Sequence, residues 1–447
     1  MIVYFNELRS RQERGRGWFR CVVVFMMICN AGIAVGHPDQ ALGQAVRESL
    51  RKHQPPVRLS LDEALKMFLQ NNFQLLVAKF GIQTAKARQV TAGLFPNPEL
   101  AVGLFSSVTQ GCTPSRCGGV MPQVSQLFLI AGKRGYRMES ASLGKAGAEA
   151  EFEDAVRQVS FALKETYFRI RLIRDHLEVD QKIKDRIYTL IKEVASDRSE
   201  AISERKRIRL ELLGVRTERE VIRDLRELGE ATLDLRILLG VPPETTLELT
   251  TPLAYRRVEP DIRALRNSVI QSRPDLRAKQ IVLAQRKTEI KLARAFQYPD
   301  LVVGLGVMLQ GPQGPDNQQQ WNAGVSVPLP IFNRNQGGIL QAETDVQVAE
   351  ADYRQAEMTT RNELERAYNR FLEGRRMVEL YQTGILDRVF TLLTVAQQER
   401  EKGELGILEL VDAARAAQET KEEYLDALFS YQRAVFRLEN AAGQVIH

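Results

Sequence analysis

The sequence has few of the residues that carry metal, redox or nucleophilic chemistry. It contains four cysteines and four histidines in 447 residues, and the histidines, at positions 37, 53, 176 and 447, form no cluster. No Ser-His-Asp spacing stands out. Gly304 and Gly306 lie inside a predicted strand, and Leu309 stands where a dinucleotide-binding motif would need a third glycine. We therefore expect no catalytic residues, no metal site and no cofactor.

A strong charge imbalance is also lacking outside the N-terminus. The net charge is +6, and five arginines against two glutamates in residues 1–36 account for half of it. The remaining excess is too small to be typical of a protein that binds nucleic acid. We expect no nucleic-acid partner.

The longest apolar run is too short for an ordinary membrane-spanning helix. Residues 21–29 read CVVVFMMIC, follow an arginine-rich segment and precede small residues up to Gly36. This order predicts an export signal over residues 1–36, cleaved near Gly36. A retained anchor is the alternative, but the run spans only about 16 residues, with Asn30 interrupting it, where roughly 20 are needed. Ile28 before Cys29 is not the small residue that a lipoprotein signal requires.

Only two cysteines, Cys112 and Cys117, lie beyond the predicted signal. They stand close together in the Gly- and Pro-containing segment GCTPSRCGG. An even pair in an exported protein predicts a small loop disulfide. A metal site is the alternative, but the sequence offers no further ligands nearby.

The same order of predicted elements occurs twice along the chain. Residues 59–100 and 261–301 each predict an amphipathic helix of about 30 residues that ends at an aromatic-Pro turn, Phe95-Pro96 and Tyr298-Pro299. Gln74-Leu75 and Asp275-Leu276 stand 201 residues apart, which gives the period of the repeat. We expect a signal at 1–36, an N-terminal extension at 37–58, and structural repeats at 59–250 and 251–447.

Each repeat continues with a predicted strand pair and two helices. Apolar residues step by threes and fours, as in coiled coils, through two segments that contain no proline. The predicted strands are 98–107, 120–130, 301–309 and 321–329, the long helices 134–196 and 336–402, and the return helices 203–239 and 405–442.

The predicted strands have the length and alternation of membrane strands. They are about ten residues long, the length of a transmembrane β-strand, and one face is apolar while the other is small or polar. Four strands cannot close a barrel, and lipid does not tolerate an open sheet edge, so several chains would have to share one barrel. Three copies would give twelve strands. A small water-soluble sheet is the alternative for the strands, and a coiled-coil rod is the alternative for the helices.

Three motifs carry a resemblance to a known family. They are LSLDEAL at 59–65, VSQLFLIAGKR at 124–134 and VSVPLPIFNRNQG at 325–337. With the doubled pattern, they make the chain resemble the TolC-like outer-membrane efflux proteins over about residues 55–445. It is most similar to the heavy-metal (cobalt-zinc-cadmium) branch of the outer-membrane factors that serve resistance-nodulation-division pumps.

The resemblance implies a mostly α-helical fold with a membrane β part. Four strands per protomer would complete a trimeric 12-stranded barrel in the outer membrane of a Gram-negative bacterium, above a long antiparallel coiled-coil tunnel in the periplasm. It also implies a non-enzymatic exit duct for small solutes, with heavy-metal cations as one candidate class. The implied partners are two further copies of the chain, outer-membrane lipid, a periplasmic membrane-fusion adaptor and an inner-membrane resistance-nodulation-division transporter.

Two other functions stay open from the sequence. One is the outer-membrane exit of a type I protein secretion system, which would use the same scaffold. The other is a periplasmic structural coiled-coil protein. A cytosolic coiled-coil rod would account for the heptads, but it would not explain the signal, the repeat or the strands.

The resemblance also points to site residues. Acidic residues at the positions of Glu409 and Asp412 would form the periplasmic gate, with an ordinary solvated helix face as the alternative. Adaptor docking would involve the helix turns, at Gly403, Leu405, Gly406, Arg198 and Arg205. For the charge-dense first turn, residues 195–207, an ordinary solvated turn is the alternative. The family's latch arginine and its tyrosine partner would fall on Leu405 and Arg400, so that latch is not expected in this chain.

Residues at the strand ends have two readings each. Lys133-Arg134 and Asn333-Arg334 would lie at the lipid–water boundary near anionic groups, or serve turn and helix-start chemistry. Trp321 and Phe128 would belong to aromatic girdles, or simply be half-buried strand residues.

Overall fold

Long helices make up most of the chain. The structure is a computed structural model that describes residues 56–106, 118–196, 204–310 and 319–446, and all of these except Pro56 belong to the unit that begins at Val57. In the described residues the elements are, in order, β1 (Val57–Leu59), α1 (Leu61–Asn71), α2 (Phe73–Gly93), β2 (Glu99–Ser106), β3 (Gly118–Phe128), α3 (Lys133–Ser196), α4 (Glu204–Leu239), β4 (Leu247–Leu249), α5 (Ile262–Ser272), α6 (Pro274–Ala295), β5 (Leu301–Gln310), β6 (Gln320–Ser326), α7 (Gln336–Leu380), a π-helical segment (Tyr381–Ile385), α8 (Leu386–Glu401) and α9 (Ile407–Ala442).

The first long helix runs without interruption, as its proline-free sequence predicts. Helix α3 has 64 residues, which at 1.5 Å per residue gives a rod of about 95 Å. It packs against α2, α4, α6 and α9. None of the described helices has a stretch apolar enough, over 18 residues, to cross a membrane.

The two predicted 30-residue helices are each divided in two, which corrects the sequence prediction. The first is broken at Asn72, whose side chain accepts a hydrogen bond from the Leu75 backbone N–H at 3.0 Å and so caps α2. The second is broken at Arg273, because Pro274 has no N–H to donate and begins α6 instead. The breaks lie 201 residues apart, so they belong to the repeat.

The second long helix was predicted to be continuous, and this is wrong. Residues Tyr381–Ile385 are π-helical and contain Thr383 and Gly384 with non-helical backbone angles. Gly384 has φ +101°, a conformation that glycine adopts at no steric cost. The sequence contains no proline here, but a single glycine in the left-handed region is enough to divide α7 from α8.

Two short strands from distant parts of the chain form a small parallel sheet that the sequence did not predict. Val57–Leu59 pairs with Leu247–Leu249 in register. The buried Tyr167 hydroxyl donates to the Leu59 carbonyl at 2.8 Å and accepts from the Thr251 N–H at 3.0 Å. Helix α3 is therefore bonded to the chain at the end of each strand.

The four predicted strands form one antiparallel sheet in the order β2-β3-β5-β6. Val124 pairs with both Leu100 and Leu305, and Leu305 pairs in turn with Ala323. The sheet therefore joins the strand pairs of the two repeats, with β3 and β5 at its centre.

The main core lies where α3, α7 and α9 meet the small sheet. Aromatic rings pack there in tilted pairs, with centroid distances of 5.5 Å between Phe168 and Phe436 and 5.8 Å between Phe371 and Tyr431. A Cβ on Gly374 would lie 3.0 Å from the Tyr431 Cα. The glycine thus allows α7 and α9 to approach closely.

Gly240 is expected to be the more sensitive of two glycines on α4 and its C-terminal end. It has φ +65°, and a Cβ there would collide with the Asn71 carbonyl oxygen. We expect Gly240→Ala to lower the free energy of unfolding by about 1–3 kcal/mol. Gly229→Ala is the matched control, because nothing lies within 4 Å of its Cβ position and alanine favours a helix. Thermal unfolding of the two variants should separate them, and equal midpoints would contradict the interpretation.

Candidate functional site

The turn between α8 and α9 is a tight, hydrogen-bonded reversal. Gly403 has φ +78°. The N–H groups of Glu404 and Leu405 both donate to the Glu399 carbonyl, at 2.9 and 3.3 Å. Gly406 is the N-cap of α9. The turn therefore has a defined shape that it presents at one end of the helix pair.

The two predicted gate carboxylates follow this turn on α9. Glu409 lies in the first turn of the helix, where the helix dipole favours a negative charge. Its carboxylate reaches back over Gly406, since a Cβ on that glycine would meet Glu409 Oε2. Asp412 is three residues on, and its Oδ2 lies 3.9 Å from Arg209 Nη2 of α4. Both acidic side chains are exposed, so the end of the helix pair carries negative charge into solvent.

A different contact links the two positions where the family's latch would fall. Arg400 Nη1 donates to the Leu405 backbone carbonyl at 3.4 Å. This bond needs no particular side chain at position 405. It closes the turn within one chain, and it differs from a latch between an arginine and a tyrosine side chain.

An apolar cluster fixes the start of α9, with Glu409 and Asp412, relative to the other helix pair. Leu190 of α3, Leu210 of α4, and Ile407 and Val411 of α9 are buried together. Ile407 and Val411 are four residues apart and so share one face of α9, whereas Glu409 and Asp412 project from other parts of the helix surface. Burying the apolar pair therefore leaves the acidic pair exposed. The cluster therefore determines which face of α9 carries the charge.

The remaining predicted residues have different outcomes. Cys112, Cys117 and Arg198 lie outside the described residues, so the disulfide remains a prediction. Arg205 lies in α4. The part of the chain that the structure describes contains no group of three or more His, Cys, Asp or Glu side chains arranged to hold a metal ion.

Lys133 and Arg134 make turn and helix-start contacts. Lys133 Nζ, nearly fully buried, donates to the Tyr298 carbonyl at 2.6 Å and to Asp300 Oδ1 at 2.7 Å. Arg134 donates to the Gly93 carbonyl at 2.9 and 2.7 Å, and its guanidinium lies 4.2 Å from the Phe95 ring centre. These residues join the sheet to the helices in both repeats.

The faces of the four-stranded sheet differ in polarity, as the alternation predicted. Leu104 and Trp321 are the most exposed of its large apolar side chains, at 81% and 83%. The strand register places the apolar rows Leu100–Val124–Leu305–Ala323 and Leu104–Val120–Leu309 on one face, and the rows Glu99–Ser125–Gly304–Gly324 and Ala101–Gln123–Gly306–Asn322 on the other. One face is suited to lipid and the other to water.

A buried polar cluster that was not predicted from the sequence lies between α3, α4 and α9. Asp180 is 3% exposed and Asp224 is 4% exposed. Gln418 Nε2 donates to Asp180 Oδ1 at 2.6 Å and to Glu422 Oε1 at 2.8 Å. Burial, together with the hydrogen bond and charge of Glu422, raises the pKa of Asp180 to about 7.

A signal for this cluster was present in the heptad pattern. Asp180 continues the buried apolar positions Leu177, Ile187 and Leu190 of α3 at steps of threes and sevens, and Asp224 stands between the buried Val221 and Ala231 of α4. A charged residue at a core position of a coiled coil is costly to bury and indicates a specific role.

Part of the chain matches a known protein family. Residues 265–444 match the family described as outer membrane efflux protein. The cobalt-zinc-cadmium resistance protein CzcC of Cupriavidus metallidurans is 23% identical over 388 residues, which cover 86% of this chain and 90% of that protein.

Solved structures share the fold. The CmeC outer membrane channel of Campylobacter jejuni has a TM-score of 0.75 at 15% identity, covering 87% of this chain and 86% of CmeC. The transmembrane channel CusC has a TM-score of 0.70 at 18% identity, covering 86% of this chain and 92% of CusC.

Proposed function

We propose that three copies of this chain, whose residues 265–444 match the outer membrane efflux protein family, form the outer-membrane exit duct of a tripartite pump. In this assembly twelve strands close a barrel and the helices form a periplasmic tunnel below it. The pore lets small solutes pass passively, and the chain itself carries out no reaction.

The four-stranded sheet is the observation that carries the proposal. Its apolar face is exposed in a single chain, and among the described strands β2 and β6 each pair on one side only. Exposed apolar rows and open edges are both unfavourable in an isolated protomer. Joining β6 of one protomer to β2 of the next satisfies the edges, places the apolar rows against lipid and leaves the glycine-rich rows lining the pore.

Threefold assembly would also create the gate. Glu409 and Asp412 are exposed at the start of α9, and copying them three times gives two adjacent rings of carboxylates. Closely spaced like charges attract cations and repel one another. The rings therefore favour cations over anions at the periplasmic entrance.

The turn that begins α9 is the proposed docking point for a periplasmic adaptor. Gly403, Leu405 and Gly406 give it a fixed backbone shape. Arg205, at the start of α4, and Arg198, which lies outside the described residues, are the further docking residues in this proposal. The adaptor in turn connects the duct to an inner-membrane transporter of the resistance-nodulation-division type.

Heavy-metal cations are the substrate class that we propose first. CzcC, named for cobalt, zinc and cadmium resistance, is aligned over most of both chains. Deleting the gene should lower the metal concentration that the host tolerates, and expression of the full chain should restore it. If metal and drug tolerance are unchanged while a secreted protein is lost from the medium, the chain instead serves protein secretion.

Neutralising the carboxylate rings should weaken the preference of the pore for cations. In planar bilayers, the double variant Glu409→Gln, Asp412→Asn should lower the cation-to-anion permeability ratio by roughly tenfold at low salt, because the field of six closely spaced charges is removed. Single-channel reversal potentials in a salt gradient measure this ratio.

Glu419→Gln is the matched control for that measurement. Glu419 is an exposed acid on the same helix and pairs with Arg415 at 2.9 Å. The control removes one charge per protomer away from the entrance and should leave the ratio close to wild type. An equal effect of both variants would contradict the gate assignment.

A further inference from the structure

A three-residue clasp joins the two helix pairs of the tunnel. We use this name for Asp180 of α3 with Gln418 and Glu422 of α9. The Gln418 amide nitrogen donates to both carboxyl groups, at 2.6 Å to Asp180 Oδ1 and at 2.8 Å to Glu422 Oε1, so the two acids meet at one nitrogen atom. Two acids held this close favour a proton at the pair, because two neighbouring carboxylates repel each other.

The surroundings of the clasp make the loss of that proton costly. Asp180 is buried, and the neighbouring α4 contributes two further acids, Asp224 and Glu220. On α9, Asp426 lies 3.6 Å from His176 Nε2 of α3, at the end of the same seam. Loss of the proton would therefore place a second negative charge among acidic groups that already repel it.

The positive groups near the clasp serve other acids or lie at its rim. Arg415 pairs with Glu419 at 2.9 Å, and Arg223 pairs with Asp224 at 3.0 Å. Arg186 and Arg216 line the cavity of about 180 Å³ beside the clasp, and both residues are exposed. None of these four arginines contacts Asp180 as Gln418 and Glu422 do.

We propose that a proton shared by Asp180 and Glu422 holds α9 against α3, and that losing it loosens the seam between the two helix pairs. The seam lies just above the apolar cluster that positions Glu409 and Asp412. A looser seam would thus allow Glu409 and Asp412 to move and so regulate the proposed gate. This effect on the gate rests on the proposed function.

The pH at which this occurs follows from the direction of the proton linkage. Burial raises the pKa of Asp180 to about 7 in the closed seam, compared with 3.8 for an ordinary aspartate. The closed seam therefore holds a proton that the open seam releases, and its stability falls as the pH rises toward and through about 7. For one proton, the seam should open about tenfold more readily at pH 8 than at pH 6.

Amide hydrogen exchange on the purified full chain tests the clasp directly. With rates corrected for intrinsic exchange, protection of α3 around residue 180 and of α9 around residue 420 should fall about tenfold from pH 6 to pH 8 in the wild type. Asp180→Asn keeps the shape and hydrogen bonding of the protonated acid, so its protection should stay high at both pH values. His176 is present in both proteins, so their difference isolates Asp180.

Two further variants complete the test. Glu178→Gln is the matched control, an exposed acid on the same helix paired with Lys182, and it should keep the wild-type pH dependence. Glu422→Gln removes the other partner of the shared proton and should abolish the pH dependence even if Asp180→Asn does not fold. A wild-type pH dependence in a folded Asp180→Asn or Glu422→Gln variant would overturn the proposal.

Exchange and conductance separate the two proposals. If exchange behaves as expected but the protein forms no channel in bilayers at any pH, the clasp stands and the proposed duct fails. If the protein conducts but both clasp variants exchange like the wild type, the duct stands and the clasp fails.

Discussion

Lysine at position 305 should prevent the chain from assembling in the outer membrane. Leu305 is 63% exposed at the middle of the apolar face, in a row with Leu100 and Val124. A lysine near the bilayer midplane costs about 2–4 kcal/mol per strand, and three copies bring the total to roughly 6–12 kcal/mol. We expect Leu305→Lys to be missing from outer-membrane fractions and to lose its trimer on native gels.

Asn322→Lys is the matched control on the opposite face. Asn322 lies in the neighbouring row, where it pairs with Gly306, so the new charge faces the proposed lumen. The same lysine there should permit assembly and alter only conductance. Equal tolerance of both lysines would show that this sheet does not contact lipid.

Loss of the Arg273 side chain should produce the largest stability change among the helices. Its guanidinium, 5% exposed, donates to Asp275 at 2.9 and 2.5 Å and to Glu363 at 2.7 Å. Burial alone would raise the pKa of Asp275, but the hydrogen bonds and charge of Arg273 lower it below the ordinary value. Arg273→Met would leave both carboxylates without this partner and should cost about 3–5 kcal/mol of the free energy of unfolding at neutral pH.

Arg266→Met provides the comparison for that variant. Arg266 makes an equally direct two-bond contact with Glu365, at 2.5 and 2.8 Å, but both side chains are solvent-exposed. Its loss should cost less than about 1 kcal/mol. Denaturant unfolding at pH 7 measures both, and similar midpoints would contradict the importance of burial. In the wild type, the contribution of Asp275 should be lost as the pH falls through its lowered pKa.

Period and spacing in the sequence were enough to predict the sheet and its faces. Alternation at Gly304, Leu305 and Gly306 gave the polarity of the strands, and the absence of proline gave the 64-residue α3. These features are local. Strand polarity depends on neighbouring residues, and helix continuity depends on the absence of proline at each position. The assignment of Glu409 and Asp412 to a gate rests on a family resemblance and not on a pattern of their own, and it remains a prediction.

Features that depend on tertiary contact could not be predicted in this way. Gly384 differs from other helical glycines only in its backbone angle, which the sequence does not state. Asp180 is buried because α4 and α9 cover it, whereas a charged side chain considered alone would be expected at the surface. Strand β1, with only three residues, has too little alternation to distinguish it from a loop.

The pairing of β1 with β4 has a consequence for biogenesis. The two strands lie 190 residues apart, so nearly the whole first repeat is enclosed between them. Chain closure over that distance is slow relative to local helix formation. In a chain that emerges N-terminus first, β1 therefore stays unpaired until β4, 190 residues later, has also emerged.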